Sequence, residues 1–181
     1  MRVYHYGLAI AREHFPEWDM TPGDQLEETF FLCAMLHDIA TTDEARSATV
    51  MSFELHGGCI ALDILQHDPD GKSSAPKPQA ESVAESIVRH QDIEERGRVS
   101  LLTQLIQLAT IFDNAGHFAE YVHKDTIEDV NGKFPREKWL NCFADTIKKE
   151  MGEKPWSTTT RLGVEEFPAM VLGNELMRPY E

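Results

Sequence analysis

Four residues of this chain have the types and the order needed to hold a divalent cation: His5, the pair His37-Asp38, and Asp113. The pair closes the apolar run Phe30-Phe31-Leu32-Cys33-Ala34-Met35-Leu36, and Asp113 closes a second apolar run. Imidazoles and carboxylates at the foot of hydrophobic helix faces cost free energy to bury unless a partner compensates them. Their nitrogen and oxygen donors suit an ion such as Zn2+. Gathered around one ion they satisfy one another, and an ion with an open position lowers the pKa of bound water toward neutrality.

The elements that must position these groups read as helices throughout. Phe30, Cys33, Ala34 and His37 are spaced i, i+3, i+4, i+7, so His37 continues an apolar stripe. Leu102, Leu105, Ile106, Ala109 and Asp113 do the same, so Asp113 is expected to point inward. Val83, Ile87 and His90 share a face, as do Phe53, His56 and Ile60, and as do His5, Leu8 and Ala9. His14, His67 and His123 stand at helix ends or in polar surroundings and are read as surface, and His117 is not needed as a ligand.

Helices are expected over Val3 to about His14, Gly23 to Asp38, about Ser47 to Gln66, Gln79 to Glu95, Leu101 to about Val122, Pro135 to Glu150, and Val164 to Met177. A loop is expected at Thr41-Thr42-Asp43-Glu44, and a Pro-, Gly- and Ser-rich surface loop over Asp68 to Pro78. Gly57-Gly58 inside a helix implies close packing or a kink. No alternating strand pattern persists, so the expected class is all-α, a single-domain helical bundle over 1–181 with a metal-binding core at 1–123 and a helical extension at 124–181.

Composition narrows the function. The 181 residues are 41% hydrophobic and 27% charged, as in an ordinary globular protein, with 17 basic against 31 acidic residues and a formal net charge of -14. That balance argues against nucleic-acid and anionic-membrane partners and suits a small neutral substrate. Three cysteines, Cys33, Cys59 and Cys142, without a CxxC, read as buried free thiols of a reducing compartment. With no signal-peptide pattern and no long apolar span, the default expectation is a cytoplasmic protein. A homo-oligomer remains open.

Leu36-His37-Asp38-Ile39-Ala40 resembles the signature of the HD-domain superfamily of metal-dependent enzymes, and the order His5, His37-Asp38, Asp113 resembles its ligand set. Arg2 to Gly7, Thr41-Thr42, Ser52-Phe53-Glu54 with Gly57-Gly58, and Ile106 to Gly116 are similar to the fungal cyanamide hydratase branch. The sequence departs from the family at Ala40, where glycine is common, and at His56, where a tyrosine is expected. Family members carry a further helical segment before the position of His5, so a shortened N-terminus is expected.

The resemblance implies a hydratase in which His5, His37, Asp38 and Asp113 hold one Zn2+ and metal-bound hydroxide attacks the carbon of a nitrile, cyanamide giving urea. His90 and His56 would then move protons beside Asp38, and Gln91 and Thr42 would orient substrate. A second reading follows from the order His5, His37-Asp38, His56, His90, Asp113, which is similar to dinuclear HD enzymes. With His56 and His90 on a second metal, such a site runs phosphohydrolysis or, with Fe, oxidative cleavage. Phosphohydrolysis wants cations at the substrate, and Arg46 and Arg89 are the nearest in sequence, Arg89 pointing away. A third reading is a non-catalytic, metal-stabilised domain.

Overall fold

A computed structural model describes residues 1–67, 74–93 and 97–181, and these contain helices and turns but no strand. The α-helices are α1 (Arg2–His14), α2 (Gln25–Leu36), α3 (Asp43–Ser47), α4 (Phe53–Gln66), α5 (Lys77–Arg89), α6 (Leu101–Ala115), α7 (Lys124–Lys133), α8 (Trp139–Glu153) and α9 (Glu166–Leu172). The all-α expectation holds. No helix among the described residues is long and apolar enough to cross a membrane. The chain forms two compact units: a central unit, Thr21–Gln107, and a terminal unit made of Met1–Met20 and Leu108–Glu181.

In the central unit, α2 begins where Asp24 accepts a hydrogen bond from the Glu27 amide at 2.7 Å, with Glu27 and Glu28 in the positive first turn. α5 packs against α2 and α4, and α4 also packs against the short turn Ile39–Thr41. The glycine pair explains the closeness. A Cβ on Gly58 would stand 2.6 Å from Val88 Cγ2 and 3.2 Å from the Ala84 carbonyl, and one on Gly57 would touch Ile87 and Ala40. Of the two expectations for this pair, close packing is the one realised. Phe30, Cys33, Val83, Ile87, Leu105 and Ile106 are fully buried here, so the stripes of α2, α5 and α6 face inward as their spacing implies.

In the terminal unit, Tyr6, Ile10, Phe112, Val122, Ile127, Val130 and Met177 form the core. The Tyr6 hydroxyl accepts from Asn131 Nδ2 at 3.0 Å, and burial pushes its pKa up. α1 packs on α7, and α8 on α9. Ahead of α8, Glu137 (φ 52°) and Lys138 (φ 64°) are consecutive non-glycine residues in the left-handed region, each costing about 1–2 kcal/mol.

Several boundaries differ from expectation. α6 ends at Ala115 rather than near Val122, because Gly116 (φ 70°) turns left-handed. Residues 41–44 are not all loop: Thr42 Oγ1 caps α3, and the segment expected to open the next helix is instead broken, Thr49 Oγ1 accepting from the Met51 amide at 3.1 Å. α7 was not foreseen, and α8 starts at Trp139 rather than Pro135. α9 is shorter than Val164 to Met177, with Pro168 inside its first turn. The Asp68 to Pro78 loop lies outside the described residues at 68–73, as do Glu94 and Glu95 of the expected Gln79 to Glu95 helix. Cys33 is buried, but Cys59 and Cys142 are exposed, contrary to expectation, and all three are free thiols.

Candidate functional site

The central unit brings His37, Asp38 and His90 into contact. α2 ends at Leu36; His37 donates one more helical bond, to Cys33 O at 2.9 Å, and Asp38 then leaves the helix. Thr41 secures the turn by bonding the Asp38 carbonyl through both its amide (2.9 Å) and its hydroxyl (2.8 Å). This places the Asp38 carboxylate against the His37 ring, Nε2 to Oδ2 3.1 Å. His90, at the end of α5, meets the other oxygen, Nε2 to Oδ1 3.7 Å, and the two rings lie edge to face at 5.5 Å.

Both imidazoles are fixed from behind. His37 Nδ1 bonds Ala34 O at 2.9 Å and His90 Nδ1 bonds Ile87 O at 2.7 Å. A carbonyl oxygen only accepts, so Nδ1 carries the proton in each ring; the ionised Asp38 also only accepts, so His37 donates to it from Nε2 as an imidazolium, and each ring, when neutral, has its lone pair on Nε2. Asp38 Oδ1 is buried and accepts no hydrogen bond. Two imidazole Nε2 atoms oriented on one carboxylate, and a buried carboxylate oxygen without a donor, are the donor chemistry of a divalent-cation site, and the residues fit such an ion in type. Among the described residues, no three His, Cys, Asp or Glu side chains are grouped so as to hold an ion; the imidazoles instead touch the carboxylate directly.

The electrostatics follow. Burial acts to lower the His37 pKa, but the charge and hydrogen bond of Asp38 and the Ala34 carbonyl outweigh it, and the net direction is upward. His90 goes down because its burial outweighs the attraction of Asp38. Asp38 itself is pulled below the usual carboxylate range: burial opposes this, and His37 and His90 prevail. A histidine with a raised folded pKa stabilises the fold fully below its unfolded value of about 6.5, and that stabilisation is lost as pH rises through the folded value. In the presence of chelator, the stability advantage of the wild type over His37→Gln is therefore expected to be largest at mildly acidic pH and to shrink on going alkaline. Urea unfolding at a series of pH values measures this, and a pH-independent difference contradicts the assignment.

The remaining expected residues are less closely joined. His56 on α4 is half-buried, with a buried Nδ1 that has no partner. The inward face of α4 is set by Phe53, Glu54, Gly57, Gly58, Ala61 and Leu65, so His56 and Ile60 lie beside it. Gln91 also has a buried, partnerless Oε1. Thr42 is exposed and its hydroxyl is engaged in capping α3. Arg46 is buried, clamped to Asp43 Oδ1 (2.6 Å) and Thr41 O (3.4 Å). Arg89 pairs with Asp92 and Glu85, so neither arginine offers an uncommitted guanidinium for a phosphate. His14, His67, His117 and His123 are exposed.

His5 and Asp113 lie in the terminal unit. His5 is half-buried and stacks on Phe134 at 5.1 Å, and burial with the nearby N-terminal amine and Lys133 lowers its pKa. Asp113 is buried as its spacing implies, at 2% exposure. Its partners, Arg2 and Arg136, were not foreseen; both reach Oδ1 from parts of the chain that no local pattern links to α6.

No family model matches the chain. It is 38% identical over 174 residues to two proteins of Saccharomyces cerevisiae, cyanamide hydratase DDI2 and cyanamide hydratase DDI3, and the match covers 96% of this chain and 73% of each relative. A match of that length takes in the whole central unit, the positions of His37, Asp38 and His90 included. The chain belongs to the cyanamide hydratase family.

Proposed function

We propose that this chain is a metal-dependent enzyme of the HD-domain type that adds water to the nitrile of cyanamide and forms urea. One observation carries the reading. In the central unit, the buried side-chain polar atoms without a hydrogen-bond partner among the described residues are Asp38 Oδ1, His56 Nδ1 and Gln91 Oε1, all from residues expected at the site. Each such atom costs about 1–3 kcal/mol. A fold retains that cost where a ligand or substrate relieves it. The names of the two yeast relatives supply the reaction.

Zn2+ is the proposed ion, with His37 and Asp38 of the central unit among its ligands; His5 and Asp113, expected from the sequence as the others, lie in the terminal unit. When bound it supplies Lewis acidity and lowers the pKa of water toward neutrality. The chain's residues do the rest. The Ala34 and Ile87 carbonyls hold the His37 and His90 rings in their donor tautomer. His90 is kept neutral by burial, which suits it to accept rather than donate at Nε2. His56 Nδ1 is the better proton carrier, delivering a proton to the nitrile nitrogen as oxygen joins the carbon. The resulting isourea gives urea by moving its hydroxyl proton to that same nitrogen. Gln91 Oε1 accepts from the cyanamide amino group.

The dinuclear alternative has one observation in its favour: His37 and His90 address different oxygens of Asp38, as two ions bridged by that carboxylate would. Metal content by inductively coupled plasma mass spectrometry, with urea formation from cyanamide, decides between them. One zinc per chain, retained in His56→Ala, with urea produced, is the expected result. Two ions per chain, one of them lost in His56→Ala, would favour the dinuclear site, and a zinc-loaded chain that makes no urea overturns the hydratase reading.

A further inference from the structure

The terminal unit carries a patch of stacked aromatic rings at its surface, where α1 ends and where the chain has left α6. The Phe15 and Trp18 rings lie face to face, 4.3 Å and 9° apart. Tyr121 stacks on His14 at 4.4 Å and on Phe118 at 5.3 Å. It meets Phe15 edge-on at 6.2 Å and 74°, so the two stacks stand nearly at right angles. Phe15 and Tyr121 rest on the core of the unit, yet every ring of the patch keeps part of its surface in water. Phe118 is held there against its backbone preference. It lies in the left-handed region at φ 58°, where a bulky residue is an outlier. The strain does not bury the ring, which is 39% exposed. Strain kept at an exposed side chain presents that side chain rather than packing it.

Charge decides what the patch fits. Glu13, Glu17, Asp19 and Glu120 interleave with the rings along the chain, are exposed, and form no ion pair among the described residues. Arg12 and Lys124, the nearest cations in sequence, are already engaged, Lys124 by Glu128 at 3.4 Å. Aromatic faces attract cations, and a guanidinium both stacks on a ring and forks onto a carboxylate. A second copy of this chain fits poorly, because pairing the face with itself sets one acidic rim against another. We infer that the patch is a docking surface for an arginine-bearing segment of a partner protein. The guanidinium lies on the ring faces that Trp18 and Phe118 leave to solvent, and the flanking carboxylates answer its charge. The surface is independent of the hydration chemistry.

The test titrates the full chain into a fluorescein-labelled Arg-Gly repeat peptide and into its Lys-Gly counterpart, with binding read by fluorescence anisotropy and thermal melts run alongside. The arginine peptide is expected to bind several-fold more tightly than the lysine peptide. Phe118→Asn suits the left-handed position but removes the ring, and is expected to weaken arginine-peptide binding by about 3- to 10-fold. Trp18→Ala is expected to do the same. Val164→Ser, at a 51% exposed apolar residue of the same unit outside the patch, is the control and keeps wild-type affinity. None of these changes alters the net charge of -14, so the general attraction of an acidic chain for a cationic peptide is the same in all of them. Wild-type affinity in cooperatively melting Phe118→Asn and Trp18→Ala overturns the inference, and if one of them does not fold the other decides. Equal affinity for the two peptides overturns it as well. So does self-association in sedimentation velocity that Phe118→Asn abolishes, since the face would then be covered by a second copy.

Discussion

Asp38→Asn is expected to cut urea formation from cyanamide by about 10³-fold or more, on the reasoning that charge stabilisation at a metal site is worth several kcal/mol and each 1.36 kcal/mol is tenfold in rate. The substitution changes almost no volume. It removes the one negative charge that meets both imidazoles, His37 at 3.1 Å and His90 at 3.7 Å. An amide nitrogen set against either Nε2 lone pair would take up the electrons proposed to hold the ion. The fold need not suffer, because the turn is secured by Thr41 on the Asp38 backbone carbonyl, which Asn keeps. Three readouts separate the causes: initial rates of urea formation, zinc content, and helicity by circular dichroism. A fourth is local. Asp38 is what carries the His37 pKa above its usual value against burial, so in the metal-free variant that pKa should fall, as followed by imidazole resonances in nuclear magnetic resonance. A folded variant with activity within tenfold of the wild type would remove Asp38 from the site.

Much of this site was legible because helical periodicity survives into the fold. Phe30, Cys33, Ala34 and His37 share a stripe, and all are buried or nearly so, as are Leu105, Ala109 and Asp113 on α6. His56 shows where the rule fails. Apolarity placed Phe53, His56 and Ile60 inward, but two glycines on the neighbouring face let α4 approach α5 and the Ile39–Thr41 turn most closely. The smallest face packs, rather than the most apolar one, and it takes Glu54 to 1% exposure with it. α7 was missed because Asn131-Gly132 lowers local helix propensity, while Ile127 and Val130 supply its stability from the tertiary core. Nothing in the sequence pairs Asp113 with Arg136, 23 residues away, or Arg136 with Glu181, 45 residues away. Such ion pairs obey no period. They form where the fold happens to carry both charges inside, and from sequence Arg136 is only a residue in the first turn of the helix expected over Pro135 to Glu150.

That same arginine underlies the largest stability effect expected in the terminal unit. Arg136→Ala should cost about 3–5 kcal/mol, the usual result of removing one partner from a buried ion pair. The side chains of Asp113 and Glu181 are only 3% and 16% exposed, so neither carboxylate recovers full hydration when the guanidinium leaves. Arg2 remains on Asp113, but it is partly exposed and also engaged with the Pro135 carbonyl and the Trp139 ring. The comparison that gives the number meaning is Lys124→Ala. It breaks a pair with Glu128 whose side chains are 79% and 53% exposed, and it should cost less than about 1 kcal/mol. Denaturant unfolding of the metal-free chain measures both. The physical cause is then isolated by Asp113→Asn alone and by the double variant Arg136→Ala with Asp113→Asn. If the loss in Arg136→Ala comes from stranded charge, neutralising Asp113 returns part of it, and the two changes together cost less than their sum. Equal costs for Arg136→Ala and Lys124→Ala would mean that the buried network contributes nothing beyond an ordinary surface pair.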